Sequence, residues 1–381
     1  MFGSLLEVGS TRFRSGSRDS RASLPSVETG SGRDVRPERR GVAFGLAAAL
    51  SFGISAPLAK LLLDDASPQM LAGLLYAGAA VALIAVWRVS DRHHEAQLSR
   101  RDAPRLALLT LAGGVVAPVL LLMGLDRVRG ITGSLLLNLE GPFTLLLAVL
   151  VFREYLGRRA TAAALAIFAG AALLTLEPGR SGSSVLGALL IAAACACWAV
   201  DNNVTQSLTV RDPLALVAVK TGIAGAVNIT LALGRGDALP SAAPLVAALA
   251  LGAVSYGLSV VLDAYALRLL GAGREAAIFA TAPFAGAIVS VFVLDERFVP
   301  RDAAGALLMA AGVALAVSDV HEHWHVHDQL EHEHAHAHDE HHRHPHSPNV
   351  DAGEPHTHIH THDGLAHRHA HVSDVHHRHL H

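Results

Sequence analysis

GPFTLLLAVLVFREYLGRRATAAALAIFAGAALLT, residues 141–175, returns farther along the chain as APFAGAIVSVFVLDERFVPRDAAGALLMAAGVALAV, residues 282–317. Pro142 and Phe143 fall on Pro283 and Phe284. With one residue inserted, Glu154 falls on Glu296 and Gly170 on Gly312. Upstream, Gly130 falls on Gly271 and Arg127 on Arg268. The chain therefore carries one unit twice, and each copy is built of long apolar runs. A run of about 18 or more such residues is long enough to cross a bilayer as a helix.

Working outward, residues 41–318 are dominated by Ala, Leu, Val and Gly, with charges only at intervals between apolar blocks. A water-soluble domain of that size would need a charged exterior. Ten spans are expected, at about 41–63, 69–90, 105–125, 131–152, 159–177, 184–207, 213–233, 243–265, 273–294 and 301–318. Pro68, Pro104, Pro178, Pro213 and Pro240 punctuate the short connections. Five spans per copy is an odd number, so the copies lie in opposite orientations. The expected fold is an all-α membrane protein of about ten transmembrane helices in two inverted five-helix repeats, 41–177 and 184–318. In such a design the substrate site lies between the halves near the midplane.

The flanks are polar. Residues 1–40 hold eight Arg, five acids and many Ser and Gly, without an apolar period, and are expected to be a disordered arm. No apolar h-region follows the start, so the arm does not resemble a secretory signal. If the N-terminus is cytoplasmic, eleven loop arginines lie inside and six outside. On that asymmetry both termini are expected in the cytoplasm, and the expected location is the cell's inner, cytoplasmic membrane. The lysines, Lys60 and Lys220, follow Ala59 and Val219, so the chain has no Gly-Lys-Ser/Thr phosphate loop. Nor do the spans show a hydrolase triad. Transport driven by a gradient is expected, with no enzymatic activity, no required cofactor and no nucleic-acid partner.

With SLLLNLEGPFTLLLAVLVFREYL followed by a small-residue span, twice over in ten spans, the sequence resembles the EamA-type branch of the drug/metabolite transporter superfamily over residues 41–318. The resemblance implies a ten-helix carrier with both ends cytoplasmic, often an exporter of amino acids, metabolites or drugs.

Ionisable side chains deep in a bilayer are costly unless they face a cavity or a partner. Glu140, Asp201, Lys220 and Asp263 are therefore transport candidates, joined by Asn138, Asn202 and Lys60. Glu140 sits in LNLEGPF, where Pro142 removes a helix hydrogen bond and loosens the preceding turn; Pro283 is the matching break. A carboxylate there suits proton coupling, and the competing reading is a helix–helix anchor bonded to Asn138 or to a neighbouring span. Asp201 and Asn202 lie in the polar run CWAVDNNVTQ, either as substrate ligands or as an interface charge. The expected partner of Lys220 is Asp201 or Asp263. Lys60, near a span end, is expected to snorkel, and Glu154 and Glu296 to mark span boundaries. Cys195 and Cys197, two apart on a helix, point to different faces and suit packing better than chelation. Ala162, Ala166 and Gly170 form a small-residue stripe for close helix packing.

Residues 319–381 hold 23 of the 25 histidines, most at spacing two: His321, His323, His325, His327; His332, His334, His336, His338; His356, His358, His360, His362; His367, His369, His371. This tail is expected to be disordered and to bind Ni, Zn, Co or Cu ions through neutral imidazole. Its charge is −8 with neutral histidines and about +15 with all protonated, around the reference pKa of about 6.5. The leading function is a gradient-driven exporter of small metabolites or drugs with a metal-binding regulatory tail. The alternatives are a Ni, Co or Zn efflux carrier with the tail as capture arm, and a membrane-anchored metal buffer or sensor. The bilayer and a small-molecule or metal-ion substrate are the expected partners, and a homodimer is compatible with the fold.

Overall fold

Each apolar block forms a helix. The computed structural model describes residues 35–89, 98–152, 157–175, 182–206, 208, 212–318, 321–326, 330–336, 356–362 and 366–371. Ten helices among them are long and apolar enough to cross a membrane. In chain order they are α1 (Arg39–Leu62), α2 (Pro68–Val89), α3 (Arg100–Leu125), α4 (Gly130–Leu150), α5 (Arg158–Thr175), α6 (Ser184–Thr205), α7 (Pro213–Gly234), α8 (Ala242–Leu270), α9 (Gly273–Val293) and α10 (Pro300–Val317). Ten crossings return the chain to the side from which it started. The start of α1 and the end of α10 thus share one side, called the tail side below; the opposite one is the far side.

The inverted repeat shows in the packing. The pairs α2–α7, α4–α9 and α5–α10 are their own mates under exchange of the halves. The others come in couples: α3–α7 with α8–α2, α3–α6 with α8–α1, and α4–α6 with α9–α1. Small residues allow these approaches. A Cβ on Gly78 of α2 would overlap the Leu249 carbonyl of α8, and one on Gly252 of α8 would overlap the Leu75 carbonyl of α2. Backbones this close gain van der Waals contact where lipid supplies no hydrophobic drive.

Two expectations change. The eighth helix runs on to Leu270 instead of ending near 265, because Ala266, Leu267, Leu269 and Leu270 extend the apolar run around an exposed Arg268, until Gly271 stops it at φ 79°. The buried stripe of α5 is Ala163, Ile167, Gly170, Ala171 and Leu174, while Ala162 is exposed. Gly170 does face α10, against Met309 and the Gly305 carbonyl.

Both third spans of the repeats contain a π-helical turn, Thr110–Val116 in α3 and Ala253–Leu258 in α8. Both fourth spans are broken near their prolines. α4 tightens to a 3-10 turn at Leu137–Leu139 before Pro142, and α9 opens to a turn at Ala280–Thr281 before Pro283. In the tail, β1 (His321–Val326) pairs antiparallel with β4 (Ala366–His371), and β2 (Leu330–His336) with β3 (His356–His362). Isolated two-stranded ladders are marginal in water without a core to pack on. The N-terminal arm to residue 34, Glu154, His327 and His338 lie outside the described residues.

Candidate functional site

The π turn of α3 exposes a carbonyl. Ala117 donates five residues back to the Ala112 carbonyl, and Pro118 has no N–H to offer, so neither serves the carbonyl of Gly113. Two side chains do: the Tyr76 hydroxyl at 2.9 Å and the Trp198 indole at 3.0 Å. One backbone irregularity thus orients aromatic residues from α2 and α6. The π turn of α8 carries Tyr256, whose hydroxyl donates to Ser55 Oγ at 3.2 Å. Phe52 packs edge-on to Tyr256 at 5.8 Å and against Phe279 at 5.4 Å, and Tyr76 lies 5.8 Å from Tyr256.

These rings wall a cavity of about 220 Å³ between the halves. Its polar lining is Glu140, Asp201, Asn202, Lys220 and Thr221, and Val217 and Val260 complete it. Asp201 and Lys220 form an ion pair with side chains 6% and 15% exposed. Gly113 makes room for that pair, since a Cβ there would overlap the Asp201 carboxylate. Asn202 donates to Glu140 Oε1 at 2.7 Å and sits exposed at the rim, while Asn203 donates to the carbonyls of Ala199 and Thr144. Glu140 itself follows directly on the 3-10 turn. There Pro142 cannot donate to the carbonyl of Asn138, one turn back.

Four of the seven sequence candidates therefore meet in one place: Glu140, Asp201, Asn202 and Lys220. Three do not. Asn138 turns away, donating to the Leu135 carbonyl at 2.9 Å and lying 3.9 Å from the Met309 sulfur. Lys60 reaches the Leu125 carbonyl at 2.6 Å on the far side; the C-terminal end of α3 holds its ammonium where a snorkelling side chain would extend to water. Asp263 lies beside Glu275, one helical turn beyond the lining residues Val260 and Phe279. Cys195 is buried and Cys197 half-buried, outside the lining. Among the described residues no group of three or more His, Cys, Asp or Glu could hold a metal ion. The aromatic wall was not singled out by the sequence reading. The signal for it was scarcity: the chain has four tyrosines and three tryptophans, and two of the former and one of the latter face this cavity.

The far side is closed by polar contacts that join the halves. Ser67 donates to Asp237 at 2.5 Å, Gln69 donates to Asn228 at 2.6 Å and accepts from Arg235 at 3.1 Å. Arg129 pairs with buried Asp302 at 2.9 Å. The Glu296 carboxylate accepts from the backbone N–H groups of Gly130 and Ile131 at 2.6 and 2.9 Å, capping α4 from across the repeat boundary. Glu296 is thus a structural clasp, beyond the boundary role expected of it.

Known proteins share this design. A transporter of Methanothermobacter thermautotrophicus, itself uncharacterized, is 32% identical over 286 residues, covering 70% of this chain and 83% of that protein. A solved crystal structure is similar over 73% of this chain and 98% of its own, at 19% identity and a TM-score of 0.55, which speaks for the fold alone. The EamA-like transporter family matches residues 39–176 and again 185–318. With both halves matched and a shared cavity between them, this chain belongs to the EamA-like transporter family.

Proposed function

We propose that this membrane transporter is a gradient-driven exporter of a small organic solute, and that its histidine-rich tail binds transition-metal ions and adjusts transport. The observation that carries the reading is the cavity between the inverted halves. It gathers Glu140, Asp201, Asn202 and Lys220, polar groups in mid-membrane helices where a merely anchoring bundle has no need of them. At about 220 Å³ it falls below the roughly 300–1,000 Å³ of pockets that take drug-sized ligands, which favours metabolites. The arginine asymmetry of the loops supports a cytoplasmic tail side, and export follows from the family resemblance.

The tail supports the metal reading through its register. His323 stands opposite His369, His325 opposite His367, His332 opposite His360 and His334 opposite His358. A ladder too weak to persist alone would gain stability from an ion held between its strands.

The test is flux in proteoliposomes, comparing the full chain with one ending at Ser318. Organic-solute flux in both, altered by metal only in the full chain, supports the reading. Flux of Ni, Co or Zn in both, reduced without the tail, would make the metal the cargo and the tail its capture arm. Undiminished function of Glu140→Gln and Lys220→Met would leave only a membrane anchor for a metal buffer.

A further inference from the structure

Hydrogen-bond accounting in the cavity identifies the charge of its ligand. Every lining residue with a donor already has a partner. Tyr76 and Trp198 give theirs to the Gly113 carbonyl, Tyr256 to Ser55, and Thr221 to the Val217 carbonyl at 2.8 Å. The Asn202 amide is given to Glu140, and the charge of the Lys220 ammonium is neutralised by Asp201. An anion would therefore meet no uncompensated positive charge among the lining residues. Acceptors remain: Glu140 makes no ion pair among the described residues, and its carboxylate is met only by the neutral Asn202 amide. Beside it stand aromatic rings whose polar atoms are tied up elsewhere.

We infer that the cavity takes a compact organic cation, an ammonium group with a small apolar body, with the charge between Glu140 and the aromatic rings. This rests on the carrier reading above and sharpens it. Ring π-systems attract a cation within about 6 Å of their centroids, most strongly when water is excluded. A hydrated divalent metal ion suits the place poorly, because such ions need a shell of oxygen ligands that phenyl and indole rings do not supply. A zwitterion would bring a second carboxylate to a Lys220 charge that Asp201 already neutralises, leaving the added negative charge uncompensated.

The experiment is calorimetric titration of the purified full chain with three ligands of nearly one shape: 2-phenylethylamine, phenylalanine and 3-phenylpropionate, with choline as a non-aromatic cation. The expected result is binding of phenylethylamine and choline, at least tenfold weaker phenylalanine binding, and none of phenylpropionate. Glu140→Gln should weaken the two cations tenfold or more, and Glu140→Asp should recover part of that loss. Because the order of the ligands is measured on the unaltered protein, the inference stands or falls even if a variant does not fold. Equal or tighter binding of phenylalanine or phenylpropionate overturns it, as does failure of both cations to bind. Flux of the same compounds in proteoliposomes separates the two readings. Binding of cations without flux leaves the site standing and removes the carrier. Flux of the anion keeps the carrier and removes this site assignment.

Discussion

Asp201 and Lys220 show how much a single buried pair controls. Removing one partner of a buried ion pair leaves the other charge uncompensated and costs about 3–5 kcal/mol, whereas replacing both can be neutral. Lys220→Met should therefore destabilise the protein strongly, and Lys220→Met with Asp201→Asn should be more stable than Lys220→Met alone. Thermal unfolding in detergent measures both, and a double variant no better than the single would contradict the pairing. Gly113→Ala pushes a methyl group into the Asp201 carboxylate; overpacking of that kind costs about 1–3 kcal/mol, and flux should fall with it. At this scale the sequence was informative where chemistry was unusual. With lysines so rare, one lying in a span implied a carboxylate partner, and Asp201 was one of the two named. Asn138 misled because it is polar and lies two positions before Glu140, yet residues two apart on a helix point about 200° apart, and it faces Met309 instead.

The elements explain why the aromatic wall was harder to foresee. Helical periodicity locates a span but not a π turn, which depends on where one hydrogen bond slips. In α3 the cause is at least visible: Pro118 cannot serve the Gly113 carbonyl, which then recruits Tyr76 and Trp198. Pro118→Ala returns an N–H to the helix and should let the backbone compete for that carbonyl. The expected outcome is a shift in tryptophan emission and a several-fold loss of solute affinity, with the helix content by circular dichroism unchanged. The clasp between Glu296 and the start of α4 is likewise a tertiary fact. Its carboxylate meets Gly130 and Ile131 across the boundary between repeats, and nothing local in the sequence announces a cap supplied from 166 residues away. Loss of a helix cap costs about 0.5–2 kcal/mol. Glu296→Gln should lower the thermal midpoint modestly and raise the accessibility of a cysteine placed at Ile131 to a reagent added on the far side.

For the whole molecule, the span count and the duplication were legible from hydropathy and self-similarity, because both are statements about length and repetition. The tail was legible as chemistry only. Its imidazoles must be neutral to bind metal, so binding of Ni or Zn by the full chain should fall as pH drops through about 6.5, and should be absent from a chain ending at Ser318. Equal metal binding by the truncated chain would move the site into the helical bundle.

The far-side clasp has one more implication. Under the repeat alignment Arg129 corresponds to Leu270 and Asp302 to Ala160, so this ion pair has no counterpart when the halves exchange roles. For a carrier that alternates as proposed above, the two end states are then unequal in energy, and the unloaded protein should wait with its cavity turned toward the tail. That bias sets where the empty carrier rests, while the net direction of flux is left to the gradients on the two sides. Neutralising Arg129 should shift that resting population toward the opposite face.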